Sequence, residues 1–283
     1  MTRRLKFSLK YGPWAVITGA SAGIGADFAR QLAEKNINVV LVARRQERLS
    51  TLASEIEQQF GVQAKVIATD LASLDGIATL KQQTKDLDIG LLVNNAGRED
   101  SGSFIDINVE NALSTLHLNT RAPMLLSHHF AQRMVNRQNS GIIFLSSIVA
   151  FQGVANIANY AATKAYDLIL AESLASELKP HGVDVLAVAP GFTATDLSPQ
   201  IDFSGLPIKP MMPDTVARNA LSSLGHRRVS VPGMVNKFLY YSGKYFMPRF
   251  ANSASFGMVF KAVLQKKLNK VDDTQPRSKV FPV

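Results

Sequence analysis

The chain has 283 residues, of which 46% are apolar, 8% aromatic and 19% charged. That is enough apolar content for a packed core and too much for a disordered or fibrous chain, while the absence of cysteine excludes a disulfide framework, a thiolate nucleophile and a cysteine-ligated metal. The net charge of +9 belongs wholly to residues 227–283, where eleven Lys and Arg face only Asp272 and Asp273; a basic tail on a neutral body suits an acidic surface such as anionic lipid, and no nucleic-acid-binding motif accompanies it.

Met1–Lys10 is basic but lacks a continuous apolar run, so it is not expected to be a secretory signal. No later stretch approaches the ~20 apolar residues of a membrane span, and a cytoplasmic location is expected. Trp14–Thr18 predicts a first buried strand ending in a glycine-rich turn, and Ile24–Lys35 a helix. Asn38–Val42 follows as a strand, and Gln46–Phe60 as a helix with Leu49, Leu52 and Ile56 on one face. Gln63–Ala68 and Ile89–Val93 read as strands, and Leu113–Val135 as one long helix that tolerates Pro123. Gly141–Ser146 is a strand, Tyr160–Lys179 a helix stopped by Pro180, and Val183–Ala189 another strand. Apolar strands alternating with helices predict a parallel sheet covered on both faces, the doubly wound α/β (Rossmann) architecture. Phe192–Pro213 is broken by prolines and reads as a loop with short helices. The division expected is a dinucleotide-binding and catalytic domain over residues 1–230 with a basic, amphipathic helical extension over 231–283.

The turn after the first strand reads Gly19-Ala-Ser21-Ala-Gly23-Ile24-Gly25. Glycines there allow a tight turn and a close approach to a pyrophosphate at a helix N-terminus, although the spacing departs from Gly-x-Gly-x-x-Gly. An NAD site places an acid ~20 residues on, at the ribose 2′-hydroxyl. This chain has Ala43 there, followed by Arg44 and Arg45, whose guanidinium groups match a 2′-phosphate. The expected cofactor is therefore NADP(H). Tyr160 and Lys164 share a helix face at i, i+4, and a nearby ammonium is expected to lower the phenol's pKa, readying it to protonate a carbonyl oxygen. Ser147 lies just past a strand and is placed to hold that oxygen.

Taken together, these motifs resemble the short-chain dehydrogenase/reductase family from Tyr11 to about Gly191. The resemblance implies an NADP(H)-dependent oxidoreductase with Ser147, Tyr160, Lys164 and Asn119 as catalytic residues, Asn119 holding a water of the proton relay. It assigns cofactor contacts to Gly19, Ser21, Gly23, Ile24, Gly25, Arg44, Arg45, Asp70, Leu71, Asn94, Ala96, Gly97, Tyr160, Lys164, Pro190, Gly191 and Thr193. No metal is required. The loops Arg98–Phe104, Ile148–Ile157 and Phe192–Met212 set the substrate; Ser147, Ile148, Phe151, Tyr160 and Phe192 are the expected contacts, and they favour a small apolar, lipid- or steroid-like carbonyl or alcohol. Pairing into a dimer or tetramer through the helices bearing Asn119 and Tyr160 is also implied. A protein of another class, a dinucleotide sensor that docks through its tail, would not need Ser147, Tyr160 and Lys164 together. Val231–Met247 and Ala254–Leu268 each carry an apolar stripe beside basic residues, with three readings: a packed or subunit-interface helix pair, a lid over an apolar pocket, or attachment to an anionic membrane.

Overall fold

A computed structural model describes residues 3–137, 139–195 and 210–258. Seven parallel strands form one sheet in the order β3-β2-β1-β4-β5-β6-β7. They are β1 (Trp14–Thr18), β2 (Asn38–Ala43), β3 (Ala64–Ala68), β4 (Ile89–Asn94), β5 (Ser140–Leu145), β6 (Val183–Val188) and β7 (Val229–Ser230). The helices are α1 (Arg3–Tyr11), α2 (Gly23–Ala33), α3 (Gln46–Phe60), α4 (Leu74–Gln83), α5 (Val109–Leu116), α6 (Ala122–Met134), α7 (Ala158–Glu177), α8 (Pro213–Ser223) and α9 (Met234–Tyr245), followed by α10 over residues 249–258.

Side chains alternate along each strand, so one face of the sheet meets α2, α3 and α8 and the other meets α4, α6 and α7. Both faces are dry, which is why Val39–Val42 is apolar at every position and wholly buried. On α2, Phe28 and Leu32 are fully buried, each contributing roughly 1.5–3 kcal/mol of apolar burial. The strand order reverses between β1 and β4, and the loops leaving their C-terminal ends part to open a crevice.

The helix expected over Leu113–Val135 is instead α5, a π-helical turn over His117–Arg121, and α6. Pro123 is the reason: without an N–H it suits the first turn of a new helix, and the wide turn before it absorbs the break while burying Asn119. α1, α4, α8 and β7 lie outside the elements read from the sequence. Two of them carry a local start signal nonetheless: Ser73 caps α4 by accepting from the Gly76 N–H at 2.9 Å, and Pro213 opens α8. The centre of the Phe192–Pro213 loop, residues 196–209, lies outside the described residues, as does the stretch Ala254–Leu268 beyond residue 258. Where the extension is described it packs onto the body. Leu239 of α9 and Phe256 of α10 join a cluster with Ile148, Val149, Val154, Ile157 and Ala161.

Candidate active site

At the crevice the turn after β1 is clamped by the end of β4. The Thr18 hydroxyl donates to the Val93 carbonyl at 3.1 Å and accepts the N–H groups of Asn95 and Ala96, both at 2.9 Å. The Asn95 amide in turn donates to the carbonyls of Thr18 at 2.8 Å and Gly19 at 3.3 Å. That clamp requires glycine at two places. Gly19 has φ +68°, and a Cβ on it would lie 2.8 Å from Asn95 Nδ2; a Cβ on Gly25 would lie 2.3 Å from the Gly19 carbonyl oxygen. The first turn of α2 has no acidic residue and no side-chain cap, and its Gly23 and Ile24 line the crevice. This donor set fits a diphosphate.

The crevice is a cleft of about 400 Å³. Of the expected cofactor contacts it is lined by Gly19, Ser21, Gly23, Ile24, Arg44, Arg45, Asp70, Leu71, Ala96, Gly97, Tyr160, Lys164, Pro190, Gly191 and Thr193. Arg45 reaches back to the glycine turn, donating to Ser21 Oγ at 2.9 Å, so cationic groups border the cleft beyond β2. Two expected contacts are placed differently. Gly25 sits behind the lining and acts through the close approach just described. Asn94 continues the strand's alternation onto the α6 side, where its amide donates to Ser127 Oγ at 2.8 Å; its neighbour Asn95 faces the cleft instead.

Ser147, Tyr160 and Lys164 meet at the other end of the cleft. Ser147 lies near enough to the Tyr160 hydroxyl to favour its phenolate form. The phenol's pKa is raised, not lowered as the i, i+4 spacing predicts. Burial is the main cause, the negative charge of Glu99 adds to it, Ser147 opposes it, and Asp167 raises it further. The Lys164 ammonium is bonded to other partners. Lys164 Nζ is 5% exposed as a residue and donates to the Leu145 carbonyl at 2.7 Å and to Asp167 Oδ2 at 3.0 Å. Burial pushes the Asp167 carboxyl up to about 6, with Lys164 acting the other way.

Asn119 does not line the cleft. It is fully buried in the π-helical turn, its amide donating to the Arg98 carbonyl at 2.9 Å and to Thr163 Oγ1 at 3.0 Å while its oxygen accepts from the Arg98 N–H. It braces the segment after β4 against the helix of Tyr160. Among expected substrate contacts, Ser147, Ile148, Tyr160 and Phe192 line the cleft, and Phe151 does not: its ring packs on Tyr240 of α9 at 4.3 Å between centroids. Three residues that sequence reasoning missed act here. Asn95 clamps the glycine turn, Asp167 holds Lys164, and Asn236 of α9, 8% exposed, stands directly against Gly191. Asn95 lay within the Asn94-Asn95-Ala96-Gly97 run; the other two carried no local signal.

The short chain dehydrogenase family model matches residues 13–203. A 7β-hydroxysteroid dehydrogenase of Clostridium sardiniense is 29% identical over 235 residues, spanning 82% of this chain and 90% of that protein. A very-long-chain 3-oxoacyl-CoA reductase of Meyerozyma guilliermondii is 31% identical over 289 aligned residues, spanning 94% of this chain and 83% of that protein. Among solved structures, a short-chain dehydrogenase from Sphingobium yanoikuyae in complex with NADPH is 30% identical with a TM-score of 0.75, covering 96% of this chain and 100% of that one.

Proposed function

The chain belongs to the short chain dehydrogenase family of oxidoreductases, which interconvert carbonyls and alcohols with a nicotinamide dinucleotide, and we propose that it is an NADP(H)-dependent reductase of an apolar, lipid- or steroid-like ketone or aldehyde. The observation that carries this reading is a single cleft that gathers an uncapped helix N-terminus, two arginines beyond β2, and Ser147, Tyr160 and Lys164. A bound nicotinamide supplies the hydride. The protein's own share is orientation and the proton. The first turn of α2 would hold the diphosphate, Arg44 and Arg45 the 2′-phosphate, and Lys164 the ribose. Ser147 holds the substrate's carbonyl oxygen while Tyr160 gives its proton to that oxygen in reduction and takes one in the reverse direction. A phenol that keeps its proton at neutral pH is in the state that reduction needs. Asn119 keeps the Arg98 segment and Thr163 in place behind that proton path.

An apolar substrate is favoured because Ile148, Val149 and Phe192 line the cleft beside Tyr160, with Leu239 and Phe256 packed behind them. The test is NADPH consumption across a panel of apolar and polar carbonyls, with Tyr160→Phe alongside. Turnover is expected to fall by about 10²–10⁴-fold in the variant while NADPH still binds. Unchanged turnover would overturn the assigned acid, and absence of turnover on every carbonyl would favour a dinucleotide-sensing protein.

Two partner surfaces complete the reading. Leu113, Leu116, Tyr166 and Ile169 leave an exposed apolar surface on α5 and α7 for pairing two copies of the chain, which light scattering would register as a dimer or tetramer. The outward face of α9 presents Met234, Phe238, Tyr241 and Tyr245 to solvent, with Lys237 and Arg227 beside it, and no Asp or Glu occurs between Asp214 and Asp272. An apolar stripe in wholly basic surroundings suits an anionic lipid surface better than a second, equally basic copy. Among the described residues no helix is long and apolar enough to cross a membrane.

A further inference from the structure

α7 buries two charged side chains, Lys164 and Asp167, on a face that is otherwise apolar or small. The lysine is accounted for by the reaction; the aspartate is not. Asp167 is 3% exposed, one carboxylate oxygen lies 3.0 Å from Lys164 Nζ, and the other, also buried, has no partner among the described residues. A carboxylate so placed costs stability, and its pairing is what lets it remain charged. We propose that Asp167 is a positioning residue that ties down the Lys164 ammonium and offsets its charge, thereby setting the pH range over which Tyr160 takes up and releases its proton.

Two features of the geometry carry this, and it rests on the reading of Tyr160 as proton carrier. Leu145 O and Asp167 Oδ2 take two of the ammonium's three N–H groups, leaving one to aim into the cleft. The carboxylate also neutralises the ammonium locally, so the phenol one helical turn before Lys164 meets a balanced pair instead of a full positive charge. The charged groups acting on the phenol are Glu99, from the segment after β4, and Asp167 on its own helix, to which the Lys164 ammonium is bonded. The charged group acting on Asp167 is Lys164, and Asp167 in turn raises the pKa of the neighbouring Tyr166 phenol. With its carboxyl at about 6, Asp167 is ionised at neutral pH and the balance holds there.

The experiment replaces Asp167 in the full chain by Asn, which keeps an oxygen for Lys164 and removes the charge. The pH profile of kcat/KM for alcohol oxidation, which requires the Tyr160 phenolate, is expected to move its midpoint down by about one pH unit, speeding oxidation about tenfold on the acidic limb. Asp167→Glu is expected to return the midpoint to that of the parent. A lowered kcat with an unmoved midpoint would leave Asp167 a structural residue only and overturn the proposal, as would a midpoint that Asn and Glu shift alike. Tyrosinate absorbance, titrated in the parent and in Asp167→Asn, each with and without Tyr160→Phe, reads the same midpoint without turnover. It therefore separates failure of this proposal from failure of the catalytic reading, which is judged by the activity of Tyr160→Phe alone. If Asp167→Asn does not fold, Asp167→Ser is measured by the same titrations, with the same downward shift expected and an unmoved phenol overturning the proposal.

Discussion

The two ends of the cleft are built from different material. At the nucleotide end, backbone approaches backbone: Thr18 and Asn95 lock the turn after β1, and Gly25 lies against the Gly19 carbonyl with no room for a methyl group. At the other end the lining is made of side chains, Ile148, Val149 and Phe192 among them, and the extension packs behind it. Leu239 and Phe256 pack there, and α10 is tied down by Asn252 Nδ2 donating to Gln152 Oε1 at 3.2 Å and Ser253 Oγ donating to the Gly153 carbonyl at 2.6 Å. A ligand common to a whole family can be read by main chain, which tolerates no change. A ligand that differs between relatives is read by side chains on a segment that can vary without disturbing the sheet.

The largest effect that would sharpen this contrast is expected from Gly25→Val. The added atoms meet a backbone oxygen instead of a flexible side chain, so NADPH binding measured by calorimetry should be lost altogether, with circular dichroism reporting whether α2 survives. Arg44→Ala should come next: losing a charge-assisted contact of about 1.5–3 kcal/mol weakens NADPH binding roughly 10–100-fold and NADH binding little. Equal losses for both cofactors would mean that Arg44 does not read the 2′-phosphate. At the other end, Phe256→Ala should raise KM for an apolar ketone by about tenfold and leave NADPH affinity alone. A change in NADPH affinity instead would break the division of the cleft into two regions. The smallest effect on the body is expected from Phe238→Ser with Tyr241→Ser, both exposed: unfolding free energy should stay within about 0.5 kcal/mol and turnover of a soluble ketone should not change. The same variant should lose sedimentation with anionic vesicles at low salt; a parent protein that ignores such vesicles would remove the lipid surface from the reading.

Much of the cleft's lining was legible in the chain because its signals are local. The glycine turn, the Arg44-Arg45 pair after β2 and the Tyr160–Lys164 spacing each lie within a few residues, where strand and helix periodicity fix which side chains share a face. Locality also explains the errors. Asn94 and Asn95 are adjacent, and only the alternation of β4 against α6 decides which one turns to the cleft. Phe151 looks like a substrate contact until Tyr240, almost ninety residues on, is packed against it.

The doubly wound sheet and the glycine turn after β1 could be read from the chain alone, since apolar runs, glycines and helical spacing act over short range. The tertiary structure alone decided how the cleft's residues are tuned and enclosed. Lys164 is restrained and balanced by Asp167 because burial forces the two charges together, and the extension packs behind Ile148 and Val149 because its apolar inner face escapes water there.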